Sequence, residues 1–481
     1  MTGDPERTII DSARYLRGVR PIDPEELAGY VGDPYTAAKV ATILRREATT
    51  IGLVERDDGC FIAPSTEPIA VPFDGVVALP LSVEQRVESS FEAAFGTNWA
   101  RGESGDALRA AIRRFKAAYL AGEPVCYDRT TAMGYAIYHL PSTYAEIQYV
   151  VAEVVAEELL SGSIRVLDVG AGVGGQALGV LEFLPNDVLV EYTAIEASDD
   201  AADLFESYLA DPGPNVHLDI QRSRIETADL EGPYDLIIGA NVVNEIDEAV
   251  ATIERLRTEL DPAGTLVLIE PADRRTSRGL RRIERGVCRR RDLSVFSPTL
   301  RLWPDHEPAD DCWSFDIKPD LDVPSFQRIL DEAPRSTADG RPPATGEFVN
   351  VDVQYSYSIL RTDGKRRIDF SPTKRRYRPL AAAEEQITQR VTVAVVKLSH
   401  PLTDDGNDLF VIGDGSQSER WFAVRSAETR LNRWLLEAEY ADVLLIENGL
   451  VLWNDDEAAI NLVVDERTVV DRITPAGHDP A

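Results

Sequence analysis

The stretch Ile164-Arg-Val-Leu-Asp168-Val-Gly170-Ala171-Gly172-Val-Gly174-Gly175-Gln176 restricts the fold of this chain more than any other. Its unbroken apolar start predicts a buried strand, and the glycines after it predict a tight turn into a helix. Glycine has no Cβ, so the backbone N–H groups of such a turn can lie directly against a ligand, and the following helix adds its N-terminus. Further apolar runs recur at 189–195, 216–220, 234–239 and 265–269, separated by helix-length stretches such as 248–260. Strands alternating with helices predict an α/β domain built on a parallel sheet, with the ligand beyond the strand C-termini.

The turn is not a dinucleotide fingerprint. Its glycines stand at 170, 172, 174 and 175 rather than in the spacing GxGxxG, and an acid, Asp168, lies within the motif. Beside a pyrophosphate that carboxylate would repel, whereas beside the ammonium of a methionine moiety it attracts. The second strand ends in Glu196, where folds of this kind hold a ribose diol. The fourth ends in Asn241, an amide suited to line the cofactor or substrate side of the cleft, and the fifth runs to Glu270-Pro271. Together these features resemble the S-adenosylmethionine-dependent methyltransferases of the Rossmann-like class. The resemblance implies S-adenosylmethionine as cofactor, held by Asp168, Gly170, Ala171, Gly172, Gly174 and Glu196 with Asn241 near the reacting end. Methyl transfer is an in-line displacement that needs alignment more than acid–base chemistry, so no catalytic residue is assigned.

Composition bounds the setting. The chain has 481 residues, 82 of them acidic and 50 basic, for a formal charge of -32. That length excludes a single small binding module. Of the basic residues only six are lysine, and the surplus of acid reads as a halophilic, high-salt cytoplasm in which charge is screened over about 3 Å. With no apolar run of membrane-spanning length and no signal-peptide pattern, a cytoplasmic location is expected. Four scattered cysteines and five scattered histidines give neither a disulfide framework nor the spacing of a zinc or other metal site.

The flanks have different textures. Residues 1–66 predict three helices and a hairpin turned at Asp57-Asp58-Gly59, hence a winged-helix domain. Asp23-Pro24 and Asp33-Pro34 are read as helix starts, with Glu26 completing a capping box, and Lys39, Arg45 and Arg46 of the third helix are open to nucleic acid or to protein contact. Residues 67–80 are expected as a linker and 81–160 as a helical region, opened by a capping box at Ser82-Val-Glu84-Gln and including a helix from Tyr144. The methyltransferase-like domain is expected over 161–379 and an OB-like β-barrel over 380–475, its strands starting near 391, 409, 420, 443, 450 and 460 with one helix at 431–438. Trp421 and Phe422 are placed either in its core or against stacked bases.

Two stretches narrow the family. Tyr135-Ala-Ile-Tyr-His-Leu-Pro-Ser-Thr-Tyr-Ala-Glu-Ile-Gln148, and Leu266 to Pro271 followed by an arginine-rich helix, resemble the methyltransferase-like assembly factors of the small ribosomal subunit, known from mitochondria and prokaryotes. That resemblance implies action on, or assembly of, the small subunit in translation. Members carry iron–sulfur-like cysteines after the fifth strand, but only Cys288 and Cys312 remain in the corresponding stretch, so an iron–sulfur cluster is not expected. Between Arg274 and Arg291 nine arginines stand against one acid, Glu284. Arg281, Arg282, Arg289 and Arg290, with Lys374, Arg375 and Arg376 of a second basic stretch, are expected to bind RNA phosphates. The alternatives are a non-catalytic ribosome assembly or RNA-binding factor that holds the cofactor, and a winged-helix DNA-binding regulator.

Overall fold

The computed structural model of the protein describes residues 5–32, 34–289, 292–303, 305–306, 313–334, 345–403 and 406–473. The chain divides into two compact units. The first holds residues 1–240, 258–265 and 319–353, and the second holds 241–257, 266–318 and 354–481.

The first unit begins with helices Pro5–Leu16, Pro24–Val31, Ala37–Arg46 and Ala48–Ile51 and a two-strand antiparallel hairpin, Val54–Glu55 with Phe61–Ile62. Gly59, at φ +77°, turns the hairpin, and Ile9, Val40, Leu44, Ile51 and Phe61 are buried in one core. Asp23 caps the second helix through the Glu25 N–H, as expected. Glu26 does not complete a capping box; its carboxylate is taken by Arg20. The third helix is capped by Thr36, through the Lys39 N–H, and Asp33 lies outside the described residues.

Residues 67–80 form no helix or strand, yet Ile69, Val76 and Leu79 are buried and Phe73 packs edge-on against Tyr149 and Phe183. Four helices follow: Leu81–Phe95, Gly102–Ala121, Arg129–Tyr138 and Leu140–Ala156. Pro80 precedes the first without a side-chain cap, and Glu84 instead accepts from the N–H and hydroxyl of Ser325. The stretch 135–148 is not one helix. It breaks at His139, because Pro141 suits the first turn of a new helix and not the interior of an old one.

Strands β1 (Ser163–Val169), β2 (Leu189–Glu196), β3 (Val216–Arg222) and β4 (Tyr234–Ala240) form a parallel sheet in the order β3-β2-β1-β4. Helices Gly175–Phe183 and Asp199–Tyr208 are the β1–β2 and β2–β3 crossovers. The order reverses direction at β1, so the β1 and β4 C-termini open a crevice at a switch point.

In the second unit β5 (Leu260–Pro271, from Leu266 onward), β6 (Ser294–Ser297) and β7 (Val353–Arg361, from Gln354 onward) stand in the order β5-β7-β6, with β7 antiparallel to β6. Strand orders 3-2-1-4 and 5-7-6 are those of a Rossmann-like methyltransferase fold. The helix Arg274–Cys288 follows β5, capped by Asp273.

The C-terminal part is a closed five-strand barrel: β8 (Arg390–Lys397), β9 (Asp408–Gly413), β10 (Trp421–Arg425), β11 (Val443–Asn454) and β12 (Ala459–Val464) pair in the order β8-β9-β10-β12-β11 and back to β8. β10 and β12 are parallel. The runs near 443 and 450 are one strand, bent at Asn448 (φ +64°), because it pairs with β13 (Val469–Ile473) before the bend and with β12 after it. The expected helix at 431–438 shortens to Trp434–Glu437, and Trp421 and Phe422 are both buried, which removes them as stacking platforms.

Candidate active site

The glycine turn of the first unit is built as a cradle. Gly170, Gly172 and Gly174 all have positive φ (+71°, +56° and +90°), a region that side chains with a Cβ rarely enter. The Gly170 and Ala171 N–H groups both donate to the Ile195 carbonyl, at 2.9 and 3.0 Å, which pins the turn to the end of β2. A Cβ on Gly172 would find its nearest neighbour, the Gly170 carbonyl, only at 4.0 Å, so open space lies in front of it. The helix after the turn has Gly174 at its N-cap and no side-chain cap, which leaves its first N–H groups available.

Glu196 closes one side. Its two carboxylate oxygens accept from the Gly172 N–H at 2.8 Å and the Ser198 N–H at 2.7 Å. Each oxygen keeps lone-pair capacity for a diol. The Ser198 hydroxyl in turn donates to the Tyr127 carbonyl, bringing the helical region to the β2 end.

Asp168 lies at the bottom, fully buried. One oxygen accepts from the Tyr192 hydroxyl at 2.9 Å, and the other has no hydrogen-bond partner among the described residues. Burial pushes its pKa up to about 7, with the Tyr192 hydrogen bond working against that rise and the Glu196 charge adding to it. An orphaned carboxylate oxygen in a closed polar corner is a place for a cation.

Helix Leu140–Ala156 packs so closely on helix Gly175–Phe183 that a Cβ on Gly175 would stand 2.1 Å from Thr143 Oγ1, and one on Gly179 2.5 Å from the Tyr144 carbonyl. Tyr127, Tyr135, Tyr138 and His139 form an aromatic cluster in the same region, with Tyr135 and His139 rings 4.8 Å apart. Burial lowers the His139 pKa to about 4, with nearby Lys116 acting in the same direction. Tyr192, Ser198, Tyr127 and Gly175 were not legible as site residues, although Ser198 stands in the helix-capping position that Glu-Ala-Ser announces.

The second unit begins at Asn241, directly after β4. Asn241 has φ +58°, donates its N–H to the Ile269 carbonyl at 2.8 Å, and carries a buried side-chain oxygen without a partner among the described residues. Glu270 is buried nearby in sequence to that carbonyl, accepts from the Asn244 N–H at 3.2 Å, and is pushed up to about 7, chiefly by burial.

The expected RNA set divides. Arg281 is 1% exposed; it pairs with Glu284 at 2.5 Å and donates to the Tyr357 carbonyl at 2.5 Å, and Glu284 also accepts from Ser358 at 2.8 Å. Arg281 is therefore a structural arginine and not an RNA contact. Arg282 and Arg289 are exposed, whereas Arg290 lies outside the described residues. Lys374, Arg375 and Arg376 are exposed together on one turn. In the N-terminal helices Arg45 pairs with Glu55 and Arg46 with Glu6 and Glu47, so those two charges are balanced within the fold, while the exposed Lys39 stacks 4.2 Å over the Tyr35 ring. Cys288 is half-buried, its thiol pushed up to about 12, chiefly by burial, and Cys312 lies outside the described residues.

Residues 144–316 match the model of a methyltransferase domain. This part of the chain is a methyltransferase domain. Residues 6–57 and 381–473 match the N- and C-terminal parts of one domain of unknown function, DUF8157. Among curated proteins, methyltransferase calH of Penicillium decumbens is 34% identical over 117 residues, 22% of this chain and 31% of that protein. The hybrid PKS-NRPS synthetase pvhA of Talaromyces variabilis is 30% identical over 113 residues, 23% of this chain. The chain thus spans about 3% of the length of that synthetase. Among solved structures, the plantazolicin methyltransferase BpumL in complex with SAH is similar at 10% identity and TM-score 0.30, over 57% of this chain and 99% of that one. A putative methyltransferase from Thermoplasma acidophilum is similar at 12% identity and TM-score 0.26, over 42% and 70%.

The residues present in the methyltransferase domain fit S-adenosylmethionine as its cofactor. The orphaned Asp168 oxygen suits an ammonium, the open face at Gly172 admits close backbone approach, and Glu196 offers acceptors for a diol. When bound, the cofactor supplies an activated methyl group. Among the described residues no helix is long and apolar enough to cross a membrane.

Proposed function

We propose that the protein is an S-adenosylmethionine-dependent methyltransferase acting on RNA, with the small ribosomal subunit as the substrate assembly. The observation that carries the first half is the cradle, in which the Gly172 N–H and Glu196 are joined at 2.8 Å above an Asp168 oxygen left without a partner. In this reading Asp168, Gly170, Ala171, Gly172, Gly174 and Glu196 hold the cofactor. Exposed, clustered cations in a chain of charge -32, beside a closed five-strand barrel with the strand order of an OB fold, support the RNA half. The resemblance of 135–148 and 266–271 to small-subunit assembly factors supports the narrower substrate. The N-terminal helices and hairpin serve in this reading as a winged helix for protein contact, since Arg45 and Arg46 are already paired with acids; that weighs against a DNA-binding regulator.

The test measures cofactor binding by calorimetry in high salt, then transfer of labelled methyl groups from S-adenosylmethionine to small subunits from cells lacking the protein. Binding with transfer into RNA supports the reading. Binding without transfer, together with subunits that fail to mature, converts it to a non-catalytic assembly factor. Label entering only small molecules would overturn the RNA half.

A further inference from the structure

The second unit contains a pocket of about 480 Å³ lined by Lys374, Arg375, Arg376, Arg378, Arg390 and His306 among its polar residues, and none of its lining residues is acidic. Local structure explains why the cations face outward. Tyr377 is buried beside Phe370 in the core under the barrel, and the Tyr377 and Arg376 N–H groups both return to the Thr373 carbonyl. The turn at 374–376 is thereby anchored through its one apolar residue, while Arg378 is fixed by its N–H on the Thr392 carbonyl of β8.

Two of the cations are balanced: Arg376 pairs with Glu447 at 3.3 Å, and Arg390 with Asp465. Lys374, Arg375 and Arg378 have no ion-pair partner among the described residues. Elsewhere in this chain exposed arginines with acid neighbours are common, as Arg20, Arg45, Arg46, Arg113 and Arg222 show. With 82 acids available, three adjacent unpaired cations around one pocket are a feature that acidic composition opposes. The barrel's β11–β12 loop is the reverse: Asp455, Asp456 and Glu457 lie there. A polyanion is repelled there and attracted to the 374–392 wall.

We propose that this pocket binds consecutive phosphates of a single-stranded RNA through Lys374, Arg375 and Arg378, with Arg376 and Arg390 held as its walls. Arginine pairs of donors match phosphate oxygens, and such contacts hold a strand without reading its sequence. The inference rests on the RNA reading above and assigns where the strand is gripped.

The experiment follows the anisotropy of a short, mixed-sequence, fluorescein-labelled single-stranded RNA on the full chain across a range of salt. The Lys374→Ser/Arg375→Ser/Arg378→Ser variant should bind roughly tenfold or more weakly at the lowest salt, and its slope of log affinity on log salt should be shallower by about 2, the value for three lost phosphate contacts. Its S-adenosylmethionine affinity should be unchanged, which shows that the variant is folded. An Arg274→Ser/Arg282→Ser variant, altered on the exposed side of the arginine helix, should retain full RNA affinity. Unchanged binding by the triple variant, with loss in the helix variant, overturns the pocket and leaves the RNA reading intact. Absence of RNA binding by the unaltered protein, with normal S-adenosylmethionine affinity, overturns both.

Discussion

The Gly172 N–H donates to a Glu196 carboxylate oxygen at 2.8 Å, so the acid at the end of β2 holds the glycine turn at the end of β1 in shape as well as facing its open side. One residue thus serves the cradle and its ligand, and its replacement acts on both. Glu196→Gln keeps size but removes the charge and one acceptor. Charge-assisted hydrogen bonds are worth about 1.5–3 kcal/mol, so S-adenosylmethionine affinity should fall about 10- to 100-fold. Calorimetry checks this, and an undiminished affinity would contradict the role.

Cofactor binding should tighten as pH rises from 6 to 8, in about the range where Asp168 titrates. The sign follows from its pKa, raised by burial to about 7: below that value the buried carboxyl is protonated and neutral, and above it the charge that attracts an ammonium is present. Asp168→Asn should bind weakly and flatten the profile. The same raised pKa makes the free protein bind an extra proton relative to the unfolded chain between its ordinary value and about 7, and Glu270 (about 7) and Glu146 (about 8) act likewise. Each such group lowers stability by about 1.4 kcal/mol per pH unit as pH rises through its window, so denaturant midpoints should fall from pH 5 to 8.

Arg281→Ser should unfold the second unit more easily without a specific effect on RNA. It leaves Glu284 buried with its partner gone and the Tyr357 carbonyl without its donor. Breaking a buried pair costs about 3–5 kcal/mol, against a change within about 0.5 kcal/mol for the exposed Arg282→Ser. Thermal melts of the two variants make the comparison.

Gly175→Ala should destabilise by about 1–3 kcal/mol, because its methyl would stand 2.1 Å from Thr143 Oγ1. Thr143→Ala removes that atom, and the double variant should recover part of the loss. A double-mutant cycle showing simple additivity would argue against this contact.

Sequence alone determined the strand, turn and helix around Asp168 to Gln176 and the acid at Glu196, because a buried parallel strand and a glycine turn are local patterns of hydrophobicity and backbone freedom. It determined most barrel strands for the same reason. It did not separate β11 from a hairpin, since the bend at Asn448 is decided by which strands pair on either side of it. Nor could it sort the arginines. Arg281 and Arg282 are neighbours with the same chemistry, yet helical geometry turns one onto Glu284 and Tyr357 and leaves the other in solvent. Charge counted along a chain gives the number of cations; only tertiary packing decides which are neutralised by distant acids, as Arg46 is by Glu6, and which, like Lys374, Arg375 and Arg378, stay available to a partner.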